Sequence, residues 1–292
     1  MTMQAALMPD GRRLHLQHGP IDLVIEAWGM PAEIADAYGQ AALAFQSVLP
    51  DLVSELPELR RQLAASGPKP LLNGIIARRM VTACWPYRRD FITPMAAVAG
   101  AVADHILSAL LQGRSLAKAY VNNGGDIALW LGAGQKLECG LVTDLLSPQV
   151  SGVFHLTAAM RIGGIATSGA PAKGRGGRSF SRGIADAVTV LARDAATADA
   201  AATMIANAVD LPDHPAIMRV PADSIDPDSD LGDRPVTADV PFLAPSEVAA
   251  ALDQGRCLAD ELCASGMIEA AVLALQGEIV LSGSLLRRHL AA

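Results

Sequence analysis

The amino-acid sequence predicts an α+β fold. Short β-branched or alternating segments, separated by Gly, Asn or Ser-Pro, occupy much of the chain after residue 117. Segments with helical spacing lie before and between them, without the regular alternation that builds a doubly wound parallel sheet. We find no internal repeat and no linker, so we expect a single compact domain over residues 1–292.

The composition excludes two classes of protein. The chain has 292 residues, of which 51% are apolar and 18% are charged. A chain of this length can bury a large core without metal or disulfide crosslinks, and disordered chains are richer in charge and poorer in apolar residues. The net charge of −7 argues against a nucleic-acid partner, because phosphate contacts need a basic face.

The cysteines and the apolar segments predict a cytoplasmic protein. The four cysteines form no CxxC or zinc-binding spacing, so we interpret them as reduced thiols. Residues 1–20 are charged and lack the apolar run of a secretory signal. The longest charge-free apolar stretches, residues 91–103 and 145–160, are shorter than the roughly 18 residues of a membrane span. We therefore expect no membrane partner.

The N-terminal part begins with β-structure and continues with helix. Residues 12–28 hold two alternating apolar runs and predict a β-hairpin. Residues 31–65 have helical spacing, and we expect Pro50 and Pro57 to cut this helix into segments. Residues 66–70 are rich in Gly and Pro and predict a connector.

The strongest helix signal covers residues 95–111. Thr93 is placed to cap this helix, Pro94 fits the first helical position, and Gly113 follows the last turn. Alanines and Gly100 make the first turns thin. We therefore expect a backbone segment or a ligand to approach this helix start closely.

Beyond residue 117 the pattern favours strands and then returns to helix. The predicted strands cover residues 119–122, 126–131, 137–142, 153–159 and 187–192. Residues 197–209 predict a helix, residues 212–245 an irregular loop, and residues 246–265 another helix. Residues 267–281 predict a helix followed by a strand.

The first motif that could carry chemistry is Asn122-Asn123-Gly124-Gly125-Asp126, between two predicted strands. Paired glycines admit positive φ and allow backbone N–H groups to converge on an anion. Asp126 would then bind a ribose hydroxyl or orient a neighbouring group. The alternative is a plain hairpin turn, since Asn-Gly is a strong local turn signal.

The second motif is the Gly-rich segment of residues 163–169, which includes Thr167, Ser168 and Gly169. It runs into a cationic segment that carries Lys173, Arg175, Arg178 and Arg182. Small hydroxyls, open backbone and guanidinium groups suit a phosphate or carboxylate. The alternative is a solvated loop without a ligand.

The third motif is the pair Asp199 and Thr203, four residues apart on one helix face. A carboxylate and a hydroxyl are hard oxygen ligands, which suit Mg²⁺ or Ca²⁺ and not Zn²⁺. The alternative is an acidic residue at a helix start beside a backbone-satisfied threonine. The histidines and cysteines form no metal or nucleophile motif, so the sequence assigns no catalytic residue.

These motifs in this order resemble the ApbE-like family, the FAD:protein FMN transferases. The matching blocks are TPMAAVAGAVAD at 93–104, NGGDI at 123–127, ATSG at 166–169 and VTVLARDAATADAAATMIA at 188–206. More closely, the chain is similar to a shorter, cytoplasmic branch of ApbE-related proteins, which shares the GRSFSRGIADAV and DPDSDLGD runs.

The resemblance implies a T-fold-related antiparallel sheet with packed helices, a bound FAD and a bound Mg²⁺ or Ca²⁺. It implies Asp199 and Thr203 as the metal ligands, together with a backbone carbonyl near the helix start. The cofactor-binding residues carried over by motif, or placed beside a matching block, are Thr93, Gly100, Asn123, Gly124, Gly125, Asp126, Thr167, Ser168, Gly169, Arg178 and Arg182.

The chain departs from the family pattern at the segment that active transferases use. They carry His-x-x-Asp-Pro-x-Thr-Gly before the VTV strand, whereas this chain has Ser181-Arg182-Gly183-Ile184-Ala185-Asp186 there. The Lys of the GIAKG-type helix start is replaced within Ala99-Gly100-Ala101-Val102. The cofactor groove is therefore expected to persist while the transfer chemistry is lost or changed.

Two functions follow as hypotheses. The first is a divergent FMN transferase or an FAD pyrophosphatase that uses Mg²⁺. The second is a non-transferase relative that binds another anionic small molecule in the same groove, which the cations near residues 173–182 favour. The apolar composition also favours self-association of the chain into a homo-oligomer.

Overall fold

A computed structural model describes residues 2–143, 150–169 and 180–283 of the chain. Runs of consecutive antiparallel strands are separated by helices along it, which confirms the α+β prediction. The described residues contain six α-helices: α1 (Pro31–Ser54), α2 (Leu56–Leu59), α3 (Ile75–Cys84), α4 (Val98–Leu111), α5 (Ala195–Ala208) and α6 (Pro245–Ala264).

Thirteen strands are present in the same residues, all short, as expected for an α+β protein. They are β1 (Gln4–Leu7), β2 (Leu14–His18), β3 (Ile21–Gly29), β4 (Leu116–Asn123), β5 (Asp126–Leu131), β6 (Lys136–Leu141), β7 (Gly152–Thr157), β8 (Gly164–Ser168), β9 (Ala187–Ala192), β10 (Met218–Pro221), β11 (Pro235–Asp239), β12 (Ala270–Leu275) and β13 (Glu278–Ser282).

The chain divides into two compact units, and the prediction of a single domain over residues 1–292 stays a prediction. The first unit comprises Met1–Leu137, Leu156–Ala166 and Ala192–Ala200. The second comprises Glu138–His155, Thr167–Leu191 and Ala201–Ala292. Helix α5 begins in the first unit and ends in the second.

The first unit is built on an antiparallel sheet in the order β1-β2-β3-β4-β5-β8. Helices α1, α3 and α4 pack together beside it. Buried alternate residues of β2 and β3, such as Leu16, Leu23 and Ile25, form one side of the core. Phe45 and Val48 of α1 fill the core opposite them with no solvent exposure.

In the second unit, β9, β12 and β13 pair antiparallel in that order. Every residue of β9 and β12 is buried, as is typical of central strands covered on both faces. Helix α6 packs on β12 and β13. Strands β6 and β7 form one two-stranded sheet, and β10 and β11 form another.

Local patterns predicted many elements. The hairpin within residues 12–28 is β2–β3, and β5 and β9 have the predicted bounds. Helices α5 and α6 match their predicted segments to within two residues. The 66–70 connector holds no helix or strand.

Other predictions were wrong. Pro50 lies inside α1 and does not cut it, because the buried face around Phe45 and Leu52 holds the helix across the missing N–H. The segment of residues 212–245 contains the β10–β11 pair. The helix predicted at the start of residues 267–281 is strand β12. The prediction failed because a continuous run of buried apolar residues shows no periodicity that would distinguish a helix from a strand.

The segment Pro94–Leu111 passes a length and hydropathy test for a membrane span, with a mean hydropathy of 1.5. The segment includes Asp104, which ended the charge-free run in the sequence. Within the protein 56% of the stretch is buried, and the core helix of a globular unit passes the same test. No other helix of the described residues passes it.

Candidate functional site

The start of helix α4 in the first unit receives a carboxylate from helix α5. Asp199 Oδ2 accepts a hydrogen bond of 3.0 Å from the Gly100 N–H, and the Ala99 N–H also donates to Asp199. Both donors belong to the first turn of α4, where backbone N–H groups lack helical partners. Asp199 therefore caps α4 from a distance of about a hundred residues along the chain.

The start of α5 receives a carboxylate from α4 in return. Asp104 Oδ1 and Oδ2 accept hydrogen bonds of 3.0 Å each from the Ala195 and Ala196 N–H groups. Asp194 Oδ1 adds a local cap by accepting the Thr197 N–H at 2.8 Å. The two helix starts are thus capped reciprocally, which fixes α4 against the first turns of α5.

Three glycines allow this close approach. A Cβ on Gly100 would lie 2.2 Å from the Ala195 carbonyl oxygen. A Cβ on Gly163 would lie 2.3 Å from the Arg193 oxygen, and one on Gly164 would lie 2.2 Å from the Asp194 carbonyl carbon. The sequence predicted that a backbone segment or a ligand approaches the thin start of this helix closely. The space beside Gly100 is filled by protein backbone. That Gly100 also contacts a cofactor stays a prediction.

Thr93 does not cap α4 as the sequence predicted. Its side chain is buried and makes no capping hydrogen bond, and residues Pro94–Ala97 form a 3₁₀ turn before α4. The Thr93 carbonyl accepts the Ala96 N–H at 3.2 Å. Asp199 instead accepts the Ala99 and Gly100 N–H groups of the helix start, so a distant carboxylate replaces the local hydroxyl.

The environment of Asp199 strongly shifts the pKa of its carboxyl group. Burial raises its pKa well above the ordinary value, and the charge of Asp126 raises it further, while the backbone donors at Gly100 and Ala99 lower it. Two neighbouring carboxylates that disfavour each other's charge would both be stabilised by a cation. Their oxygen-only chemistry fits Mg²⁺ or Ca²⁺.

Within the described part of the chain, no group of three or more His, Cys, Asp or Glu side chains is placed to hold a metal ion. A cation at Asp199 would therefore take its other ligands from hydroxyls, backbone carbonyls or water. Thr203 is half-buried one helical turn further along α5. The Asp199–Thr203 ligand pair stays a prediction.

The Asn123-Gly124-Gly125-Asp126 block forms the turn of the β4–β5 hairpin, the plainer of the two interpretations. Gly124 and Gly125 have φ of +66° and +114° with open space around them. The Gly125 N–H donates to Asn122 Oδ1 at 2.8 Å, so it is not available to an anion. Asn123 is buried, and its Nδ2 donates to the Ala99 carbonyl at 3.1 Å, which ties the hairpin to the start of α4.

In the second unit, the segment predicted as a Gly-rich loop is partly strand. Thr167 and Ser168 end β8, and Thr167 Oγ1 lies 2.9 Å from Thr189 Oγ1 of β9. Gly169 has φ of +126°, and a Cβ there would lie 3.0 Å from the Ala187 Cα. These residues are therefore packed against β9, and their contact with a cofactor stays a prediction.

The backbone of Arg182 is anchored in the second unit. Its N–H donates to Asn207 Oδ1 at 2.9 Å, and its carbonyl accepts from Arg219 at 2.6 Å. Arg178, Lys173 and Arg175 lie outside the described residues. The anion-binding role of Arg178 and Arg182 stays a prediction.

Sequence reasoning missed Asp104. A signal was available, because Asp104 is the one acidic residue in the apolar stretch 93–111 and a buried carboxylate needs polar partners. Its position four residues after Gly100 also repeats the position of Asp199 four residues after Ala195.

We expect Asp104 to make stability depend on pH. Burial raises its pKa from 3.8 to about 6, with a smaller contribution from Asp194. Because the folded state binds the proton more tightly than the unfolded state, this contribution favours folding at low pH. It is lost as pH rises from about 4 to about 6, by about 3 kcal/mol in total.

Urea unfolding on either side of that window measures this effect. Other carboxylates also titrate there, so the informative quantity is the difference between the wild type and Asp104→Asn, which cannot titrate. The wild type should lose stability relative to the variant as pH rises through the window. A constant difference would contradict the assignment.

Comparison with known proteins shows a family match over nearly the whole chain. The family model described as AbpE bacteria matches residues 5–281. Among curated relatives, the UPF0280 protein of Methanospirillum hungatei is 36% identical over 145 residues, 50% of this chain and 55% of the relative. The UPF0280 protein of Archaeoglobus fulgidus is 33% identical over 171 residues, 58% of this chain and 64% of the relative. The chain thus spans less than two thirds of either relative.

Solved structures share the fold. The ApbE protein of Thermotoga maritima aligns with a TM-score of 0.50 and 13% identity, over 98% of both chains. The apo form of the flavinyl transferase ApbE from Pseudomonas stutzeri aligns with a TM-score of 0.50 and 12% identity, over 98% of this chain and 96% of the other. Together with the family match, they confirm the resemblance that the four sequence blocks predicted.

Proposed function

We propose that this chain is a divergent flavin-handling enzyme, because it belongs to the family described as AbpE bacteria. It would bind FAD with Mg²⁺ or Ca²⁺ and cleave the FAD pyrophosphate. In that step an oxygen nucleophile, a protein hydroxyl or water, forms a bond to the FMN phosphorus. The P–O–P linkage breaks and AMP leaves.

The observation that carries this proposal is the environment of Asp199. Its half-buried carboxylate lies at the start of α4 beside the charge of Asp126, which is the kind of site that a divalent cation stabilises. Asp199 and Thr203 would hold the cation through oxygens on one face of α5. When bound, the cation would neutralise charge on the pyrophosphate.

This chain's own residues would position the flavin nucleotide around that helix start. Asn123 fixes the hairpin turn against Ala99, which places Gly124, Gly125 and Asp126 beside the start of α4. The family resemblance adds Thr93 and Gly100 from the first unit. As a separate expectation for the second unit, the resemblance names Thr167, Ser168, Gly169, Arg178 and Arg182 as flavin-binding residues.

The segment before β9 lacks the residues that active transferases use, which favours a lost or changed transfer chemistry. Arg182 stands where active transferases carry their His, and the segment is packed as structure. A Cβ on Gly183 would lie 2.0 Å from the Ala206 oxygen, and Asp186 Oδ2 accepts the Gln276 N–H at 2.5 Å. These roles leave little of the segment for acid–base chemistry.

The test is to incubate the pure protein with FAD and to follow AMP and FMN by chromatography, with Mg²⁺ and with a chelator. We expect release only with the divalent ion. Addition of a candidate acceptor peptide that contains Thr distinguishes transfer from hydrolysis by a mass increase. No AMP release across the pH range at micromolar enzyme would reject the enzymatic proposal.

The second candidate is a non-transferase relative that binds another anionic molecule in the same groove. The absence of the transferase His segment favours it. A thermal-shift screen separates the two, because a ligand that binds the folded state raises the melting temperature. A shift with FAD and Mg²⁺ supports the first candidate, and a shift only with another anion supports the second.

The expected cellular setting is part of the same proposal. None of the four cysteines, all of which lie in the described residues, forms a disulfide, which suits a reducing compartment such as the cytoplasm. We propose a small-molecule partner and neither nucleic acid nor membrane, in keeping with the net charge of −7. A homo-oligomer remains a proposal that sedimentation would test.

A further inference from the structure

We propose that the first unit carries a second ligand site, a cavity that binds a phosphate-bearing small molecule through arginines. The cavity has a volume of about 700 Å³. It lies between α3, the later turns of α4 and the residues that lead into α5. Its three lining arginines are Arg78, Arg79 and Arg193.

Arg79 provides the central observation. Its Nη1 is buried and has no hydrogen-bond partner among the residues that the structure describes. The nearest acidic atom is Asp104 Oδ2 at 3.9 Å, which is beyond hydrogen-bond distance. A buried guanidinium N–H without a partner is costly, and an anion in the cavity would supply the missing acceptor.

The surrounding charges leave the cavity cationic. Its two carboxylates already accept backbone hydrogen bonds, Asp104 from Ala195 and Ala196, and Asp194 from Thr197. Among the described residues, three arginines and two aspartates line the cavity, so its charged side chains carry a net positive charge. A further cation lies next to the lining, because Lys69 Nζ donates to Thr82 Oγ1 at 2.7 Å.

The arginines differ in how they are held. Arg78 Nη1 donates to the carbonyl oxygens of Leu72 and Asn73, which anchors this side chain to the loop before α3. Arg193 is exposed at the rim. Arg78 is thus anchored, Arg79 is half-buried and Arg193 is exposed. A ligand group with several oxygens suits three guanidinium groups held in these different ways. Phosphate fits this better than a single carboxylate, which one guanidinium fork satisfies.

The remaining wall accepts an apolar or ring-shaped body. Leu107, Leu111 and Leu129 line the cavity together with Ile75. The volume falls within the range of about 300–1,000 Å³ that is usual for small-molecule sites. The combination of apolar wall and cationic end predicts a ligand of nucleotide size with its phosphate at Arg79.

This site is separate from the one proposed at Asp199. The lining does not include Asp199, Asp126 or Asn123. Binding there needs no metal, because the arginines supply the positive charge. The inference therefore stands even if the chain does not cleave FAD.

The test is calorimetric titration of the full chain with AMP and with inorganic pyrophosphate, in the presence of a chelator. We expect binding by the wild type, and affinity weakened by about tenfold or more in Arg79→Gln and in Arg193→Gln. Arg79→Lys should weaken binding less, since it keeps the charge and loses the fork. Arg61→Gln is the matched control, because within the described residues Arg61 forms a surface ion pair with Glu58 at 2.9 Å in the same unit and does not line the cavity.

Three results would overturn the proposal. They are no binding of either probe up to millimolar concentration, equal affinities in the Arg61 and Arg79 variants, and loss of binding in Asp199→Asn, which would place the anion at the other site. Arg193→Gln keeps the test decisive if Arg79→Gln fails to fold, because Arg193 is exposed.

Discussion

Gly100→Ala is expected to lower the free energy of unfolding by about 3–5 kcal/mol, a large part of the stability of an ordinary domain. The new Cβ would lie 2.2 Å from the Ala195 oxygen and 2.8 Å from the Ala196 nitrogen. These are backbone atoms that cannot rotate away. Either α4 moves from the start of α5 or the two reciprocal caps at Asp104 and Asp199 lengthen. Urea unfolding followed by circular dichroism measures the loss.

Gly39→Ala is the matched control. Gly39 lies inside helix α1, and an added Cβ meets nothing within 4 Å. The same chemical change should therefore stabilise the protein by about 0.4–1 kcal/mol, because alanine restricts the unfolded chain. If Gly100→Ala and Gly39→Ala had similar effects, the close approach of α4 and α5 would be wrong.

The second large effect is expected at Asp199, where substitution separates a structural role from a metal-binding role. Asp199→Asn keeps an oxygen that can accept the Gly100 N–H and removes the negative charge. Because burial and Asp126 already disfavour that charge, the stability should change by less than about 1 kcal/mol. Metal-dependent FAD cleavage should fall by about a hundredfold or more, since a divalent cation needs the carboxylate.

Asp199→Ala should lose both roles. The N–H groups of Ala99 and Gly100 would have no acceptor from α5, at a cost of about 1–3 kcal/mol in stability. Calorimetry with Mg²⁺, unfolding by urea and AMP release are the three measurements. Asp253→Asn, which removes an exposed carboxylate of α6 paired with Arg256, is the control. Unchanged Mg²⁺ affinity in Asp199→Asn would reject the metal assignment and leave only the cap.

The elements that the sequence predicted correctly carry their signal within a few residues. Gly124-Gly125 predicts the β4–β5 turn because only a residue tolerant of positive φ fits there. Gly113, with φ of +68°, follows the last turn of α4 in the same way. The joint order of four short blocks was enough to indicate the family.

The two elements that were missed differ in their cause. Helix α3 (Ile75–Cys84) was not predicted although its buried residues Ile76, Met80 and Cys84 recur at helical spacing, so its signal lay in the sequence. Strand β8 contains Gly164, a poor strand former, and is a strand because β5 pairs with it. There tertiary packing outweighs local propensity.

The sequence by itself determined the fold class, the hairpins, the main helices and the family, because each follows from periodicity or from short motifs. Only the tertiary structure decided what several of the singled-out residues contact. It showed that Gly100, Gly163 and Gly164 make room for the backbone of residues 193–195, and that Asp104 and Asp199 cap each other's helices. The physical reason is that these contacts join residues 30 to about 100 positions apart, and a local pattern cannot specify which distant backbone will fill the space beside a glycine.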